Sequence, residues 1–131
     1  MPERAYSRVI TPPLRPVEWV GSSLDDLRSC PDAVQDVVGY ALFLAQGGER
    51  HPAAKPLKGD LRGLVEIVDD WDGNTYRAVY TAKLAGVIYV LHVFQKKATH
   101  GIATPRHVVA LIKERYRRAR EHHRRQHAGK E

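Results

Sequence analysis

The alternation of apolar and polar positions is sharpest between Thr75 and Lys97. There two apolar-rich runs, TYRAVYTAK and VIYVLHVF, are separated by Leu84-Ala85-Gly86. β-Branched and aromatic residues dominate both runs and a glycine-containing break divides them, the pattern of a β-hairpin. The second run, Val87 to Phe94, is apolar at nearly every position, so neither of its faces can meet water and it belongs in the middle of a sheet. In the first run, alternation places Arg77, Val79, Thr81 and Lys83 on one face and Tyr76, Ala78, Tyr80 and Ala82 on the other. One face is core and the other can carry charge.

The remaining pattern supplies what covers this hairpin. Val17 to Val20 reads as a short strand with Trp19 half buried. Ser22 or Ser23 caps a short helix with Asp25 and Asp26 in its first turn and Pro31 as its stop. Asp32 then starts a second helix. Its positions Val34, Val37, Val38, Ala41, Leu42 and Ala45 follow the helical i, i+3, i+4, i+7 spacing, and Gly47-Gly48 ends it. Glu49 to Gly63, with two prolines and two glycines, reads as a loop carrying Lys55, Lys58 and Arg62. Leu64 to Trp71 is a strand, and Asp72-Gly73-Asn74 turns it into the hairpin. After a second loop Thr104 caps a helix with Pro105 in its first position. Val108, Val109, Ile112 and Tyr116 form its buried stripe, with Leu111 alongside. Beyond Tyr116 the stripe dies out, and a frayed, solvated extension is expected.

The order β-α-α-β-β-β-α describes a small α+β domain: a mostly antiparallel, twisted sheet with helices on one face and an open basic face. A length of 131 residues implies one domain. We expect a flexible arm over 1–14, a folded unit over 15–119 and a basic tail over 120–131. No apolar run approaches the roughly 20 residues that span a bilayer, and the first residues lack the apolar core of a signal peptide. The single cysteine, Cys30, excludes an intrachain disulfide and fits a reducing compartment, so a cytoplasmic location is expected.

Charge sharpens this picture. Residues 1–72 carry 8 Lys/Arg and 12 Asp/Glu, whereas residues 73–131 carry 13 and 3. Between Gly73 and Lys113 there is no carboxylate at all. Such a field draws polyanions, phosphate backbones foremost. A solvated basic surface would explain the C-terminal run equally well, but it explains Arg77 and Lys83, inside a sheet, less well.

No nucleophile elbow, Walker or dinucleotide motif is present, no Cys/His spacing suggests zinc, and no cofactor is implied. His122, His123 and His127 could share a helical face, though a histidine-rich terminus is more often only a tail. What remains is a cationic set: Arg77 on a strand, Lys96 and Lys97 at a strand end, Lys58 and Arg62 on the loop feeding the sheet, with Lys83, Arg106 and the central-strand His92. Metal-free RNA cleavage needs a base for the 2′-hydroxyl, stabilisation of a doubly charged phosphorane and an acid for the departing 5′-oxygen. Fixed cations suit the second task and a histidine the first or third. On pattern alone His92 fits a hydrogen-bonded core histidine better than a catalyst. Arg77 fits a structural partner of Asp69, Asp70 or Asp72 as well as it fits a phosphate ligand.

Several stretches carry a resemblance: VEWVGSSLDDLRSCP, GYALFLAQGG, KPLKG, TYRAVYT, and above all Ile88 to Lys97 followed by Gly101-Ile102-Ala103-Thr104-Pro105. From Val17 to Ala119 the chain resembles the RelE/ParE toxin superfamily of type II toxin–antitoxin modules, in its phage-derived HigB-like branch. The resemblance implies a ribosome-dependent mRNA endoribonuclease silenced by a cognate antitoxin, commonly a helix-turn-helix protein. Arg77 matches the family's Tyr-Arg strand arginine, and Lys97 with Lys96 the cationic end of the last strand. Lys58, Arg62, Lys83 and Arg106 are then the expected RNA contacts. Where related toxins carry Glu-Leu-Arg, this chain has Glu66-Ile67-Val68, one cation fewer, for which Lys58 and Arg62 are the nearest replacements. The superfamily also includes ParE-type inhibitors of DNA gyrase that cut nothing, and a non-catalytic RNA-binding domain would share the charge split.

Overall fold

A computed structural model describes residues 13–96 and 104–128. Five strands, β1 (Val17–Trp19), β2 (Ala54–Pro56), β3 (Val65–Trp71), β4 (Asn74–Thr81) and β5 (Ile88–Lys96), form one sheet in the order β1-β5-β4-β3-β2. The helices are α1 (Ser23–Arg28), α2 (Asp32–Gln46) and α3 (Arg106–His127). β1 runs parallel to β5, as a strand joined across two helices should. All other neighbours are antiparallel. The α+β class is as expected. The sheet gains one strand over the expectation, because Ala54–Pro56, inside the stretch read as loop, pairs with Val65–Ile67.

β5 lies between β1 and β4, and Ile88 to Leu91 are buried without exception. Both of its faces therefore need cover, and the expectation of helices on one face is corrected here. Ile88, Val90 and Val93 pack with Val34, Val38 and Leu42 of α2. Tyr89 and Leu91 pack with Ile112 and Ala119 of α3 on the opposite side. Each such aliphatic side chain contributes about 1.5–3 kcal/mol relative to exposure, and only two layers of helix collect that gain from both faces.

The second correction concerns α3, which does not fray after Tyr116 but continues to His127. Its inner stripe simply becomes polar. Arg115 and Ala119 are buried, and His123 Nδ1 lies 3.0 Å from the Tyr89 hydroxyl. Burial, with Glu18 adding to it, pushes the Tyr89 phenol up to about 12, so it stays protonated within hydrogen-bond reach of His123. Hydrophobic periodicity cannot register a stripe built from Arg, Ala and His. Smaller differences are single-residue ones: Pro31 and Pro105, not Asp32 and Thr104, occupy the cap positions of α2 and α3.

Two turns carry the geometry. Asp72 and Gly73 both have positive φ (51° and 78°), the two-residue type I′ connection that matches strand twist. At Gly21, φ is +58°, and an added Cβ would stand 2.8 Å from Arg115 Nε. That guanidinium is held by three hydrogen-bond partners and cannot retreat. Gly21→Ala should therefore destabilise the protein by about 1–3 kcal/mol in denaturant titration. Gly39→Ala, in the exposed middle of α2 with open space around it, should stabilise it by about 0.5–1 kcal/mol.

Candidate active site

Sheet register assembles one charged face. Arg77 lies opposite Phe94 on β5 and Val68 on β3, and Thr75 lies opposite Lys96. Paired residues share a face, so Arg77, Phe94, Lys96 and His92 stand together on the α3 side of the sheet. Glu66, the diagonal neighbour of Arg77 on β3, completes the group: its Oε1 accepts a hydrogen bond of 2.5 Å from Arg77 Nη1. Both side chains are largely shielded, 22% and 10% exposed. None of the expected aspartates serves as the partner. Asp69 points to the other face, Asp70 accepts from the Thr75 hydroxyl at 2.7 Å, and Asp72 sits in the turn. Arg77 Nε is buried with no hydrogen-bond partner among the described residues. Across β2, Lys55 stands in register with Glu66.

Lys96 extends this group at the end of β5. Its ammonium pKa is lowered by burial first and by the nearby Arg77 charge second, with Glu66 opposing. It therefore gives up its proton more readily than a solvated lysine. Lys97 lies outside the described residues.

His92 reaches this face through an irregularity. β4 pairs Val79 with His92 but Tyr80 with Val90, so Leu91 is an extra residue in β5. The bulge turns His92 away from the phase of Ile88 and Val90 and sets it on the side of Arg77 and Phe94. Its ring stacks on Phe94, 4.8 Å between centroids and 15° from parallel. Arg115 Nη1 approaches His92 Nδ1 at 3.2 Å and donates to the Leu91 carbonyl at 3.0 Å, while Nη2 donates to Ser22 Oγ at 3.1 Å. Ser22 in turn donates to Asp26 at 2.7 Å. Guanidinium can only donate, so His92 Nδ1 is the acceptor and the ring proton sits on Nε2. Burial, then the Arg115 charge, lowers the His92 pKa, with Asp26 opposing. His92 is thus a neutral donor near pH 7, and a base role at Nδ1 is blocked.

The other expected cations stand elsewhere. Lys58 and Arg62 flank the short 3₁₀ turn Gly59–Leu61, beyond the Val65 end of β3, where Tyr80 is the β4 partner. Three residues of strand, about 10 Å, separate that level from Arg77. Lys83 is exposed, its stem near Gly63. Arg62 and Arg106 line a groove along α3 instead. Glu66 and Arg115 were not anticipated as site residues. Alternation along β3 marks Glu66 as an inward carboxylate two residues from Val68, whereas nothing local marks Arg115. Among the described residues no group of three or more His, Cys, Asp or Glu is placed to hold a metal, and no helix is long and apolar enough to cross a membrane.

An α+β domain with a cation-rich sheet face beside one long helix is the class that the geometry defines. The family model of the phage-derived protein Gp49-like family (DUF891) matches residues 25–117, and the chain belongs to that family, a RelE-like toxin family. No curated protein matches the sequence. Among solved structures, a chain of the toxin–antitoxin complex RelBE2 from Mycobacterium tuberculosis is similar, with a TM-score of 0.46 and 21% identity over 65% of this chain and 94% of that one.

The His92 environment has a measurable consequence. Its pKa in the fold lies below the ordinary 6.5, so the unfolded chain binds the proton first. The stability tied to neutral His92 is complete above pH 6.5 and is lost as pH falls towards the folded value. Melting temperature should drop with acidification through this window. His92→Asn, which keeps an acceptor for Arg115 but cannot titrate, should flatten the drop, leaving the slope due to His123, whose pKa is also lowered by burial and by His127.

Proposed function

We propose that this chain is the HigB-like toxin of a type II toxin–antitoxin module, an endoribonuclease that cuts mRNA on the ribosome and is silenced by a cognate antitoxin. Membership of a RelE-like toxin family supports the toxin reading. The observation that carries the chemistry is the grouping of Arg77, Glu66 and Lys96 on one partly shielded sheet face.

In this reading the Glu66 carboxylate accepts the 2′-hydroxyl proton as the 2′-oxygen attacks phosphorus. Arg77 turns its uncommitted Nη hydrogens to the non-bridging oxygens, where charge accumulates. Lys96, its pKa lowered by its surroundings, gives a proton to the 5′-oxygen as the P–O5′ bond breaks, with Lys97 adjacent in sequence. The products are a 2′,3′-cyclic phosphate and a 5′-hydroxyl. Solvent then returns the proton from Glu66 to Lys96. His92 Nε2–H serves as a fixed hydrogen-bond donor. An antitoxin, expected to be a helix-turn-helix protein, would silence the enzyme by covering this face or by holding it off the ribosome, and carboxylates on its toxin-binding segment would make the complex salt-sensitive.

Substitutions at the ion pair test this. Arg77→Ala should reduce mRNA cleavage about 100-fold or more, and Arg77→Lys should recover part of it, since an ammonium lacks the bidentate fork. Glu66→Gln should also lower cleavage by about 100-fold. If the pair is only structural, Glu66→Gln will cut as well as the parent protein. Arg77→Ala should in addition lose about 1–3 kcal/mol of stability by leaving a shielded carboxylate unpaired, so rates are compared per folded molecule. Growth arrest on expression with intact mRNA and blocked DNA supercoiling would replace this reading with gyrase inhibition.

A further inference from the structure

The outer side of α3 carries a second cationic feature that the cleavage chemistry leaves unused. A groove of about 940 Å³ runs between α3 and the Gly59–Leu61 turn. Its cations are Arg62, Arg106, Lys113, Arg117 and Arg120. The last four recur at helical spacing as one stripe, which spans about 21 Å at 1.5 Å per residue. Two carboxylates, Asp60 and Glu114, also line it. Glu114 is occupied: Arg117 donates to both its oxygens, at 2.7 and 3.0 Å. Within the stripe Arg120 Cζ stands over the Tyr116 ring, 4.5 Å from its centroid. The groove shares no lining residue with the Arg77 group.

We propose that this groove is an RNA-docking surface that grips the phosphate backbone away from the point of cleavage and so sets how the RNA enters the Arg77 face. The inference rests on the RNA-directed part of the function proposed above, but not on catalysis. Four of the five cations are arginines, whose planar forks match phosphate oxygens in pairs, Arg117 doing so by exchanging Glu114 for phosphate. A cationic stripe of this length can contact several successive phosphates. The Arg120–Tyr116 pair supplies a planar surface on which an unstacked base can lie. An acidic protein segment fits less well. Protein interfaces are anchored by a desolvated apolar centre, and this groove offers only Val109, Ala110 and the partly covered Tyr116.

The test is binding of a short 2′-O-methyl RNA, which has no 2′-hydroxyl to be attacked, across a salt series. Lys113→Gln/Arg117→Gln/Arg120→Gln removes three exposed charges with helix-compatible side chains. Binding should weaken at least tenfold near physiological salt, and the slope of log K against log salt should flatten by about 2, close to 0.7 per lost phosphate contact on a single strand. Arg117→Lys/Arg120→Lys should keep the slope while losing affinity, because charge remains and the forks do not. An unchanged affinity and slope in the triple variant would overturn the proposal. Unchanged RNA binding with loss of binding to a glutamate-rich peptide would reassign the groove to an acidic protein partner. Failure of the parent protein to cut any RNA would sink the catalytic reading alone, since this measurement needs no cleavage.

Discussion

A strand with no polar side must be roofed above and below, and β5 imposes that condition on the whole chain. Ile88, Val90 and Val93 require α2, while Tyr89 and Leu91 require α3. The helical cover on the α3 side ends before the end of the strand. Past Leu91 the residues on that side are His92, Phe94 and Lys96, only partly covered, and the neighbouring strand offers Arg77 and Thr75 at the same levels. The charged face is thus the continuation of the core beyond its cover. This is also why its groups are half shielded: one end of the same groove of sheet is dry and the other is wet, and electrostatic interactions are strengthened by the low-dielectric wall beside them.

Arg115 ties the parts of this arrangement together. Its guanidinium bonds a β5 carbonyl, the His92 ring and the Ser22 hydroxyl, and its bulk is admitted only because residue 21 has no side chain. The loop after β1, the bulge in β5 and the middle of α3 are therefore fixed by one cation. A cation in that position keeps His92 neutral through its charge and fixes the ring tautomer through its obligatory donation. The cost is an Nε that finds no partner among the described residues, a burden that a cluster of three other bonds, two of them to oxygen, can offset.

Four of the five strands and the alternation of β4 were legible because they rest on period-two patterning, whereas the three-residue β2 sits in a stretch punctuated by proline and glycine; Arg77 and Val79 do share a face opposite Tyr76 and Tyr80. What escaped the sequence was set by tertiary contact. The continuation of α3 depends on Arg115, Ala119 and His123 packing as if they were apolar, which requires the Tyr89 hydroxyl, the Leu91 carbonyl and the glycine at 21 to be in place. The structure does hold His92 as a partly buried, hydrogen-bonded histidine, but its face was not legible, because one extra residue in β5 shifts the phase of the strand. Proximity along the chain favours the turn aspartates as partners of Arg77. Diagonal register selects Glu66 instead, and Thr75 has already engaged Asp70.

That Arg77 stands paired rather than bare is consistent with a site built to receive an anion. An unpaired guanidinium at this degree of shielding would carry an uncompensated desolvation cost, whereas a carboxylate at hydrogen-bond distance offsets it and fixes the fork in one orientation. Nη1 donates to Glu66 and Nε is buried, so the donors left uncommitted among the described residues are the remaining Nη hydrogens. Val68, the register partner of Arg77, carries no charge, so Glu66 at the diagonal position is the charged β3 side chain that meets the guanidinium. Were RNA docked along α3 as proposed, its flanking phosphates would need no cations from the Arg77 face, and Arg77 and Lys96 would be left for the one phosphate where charge develops.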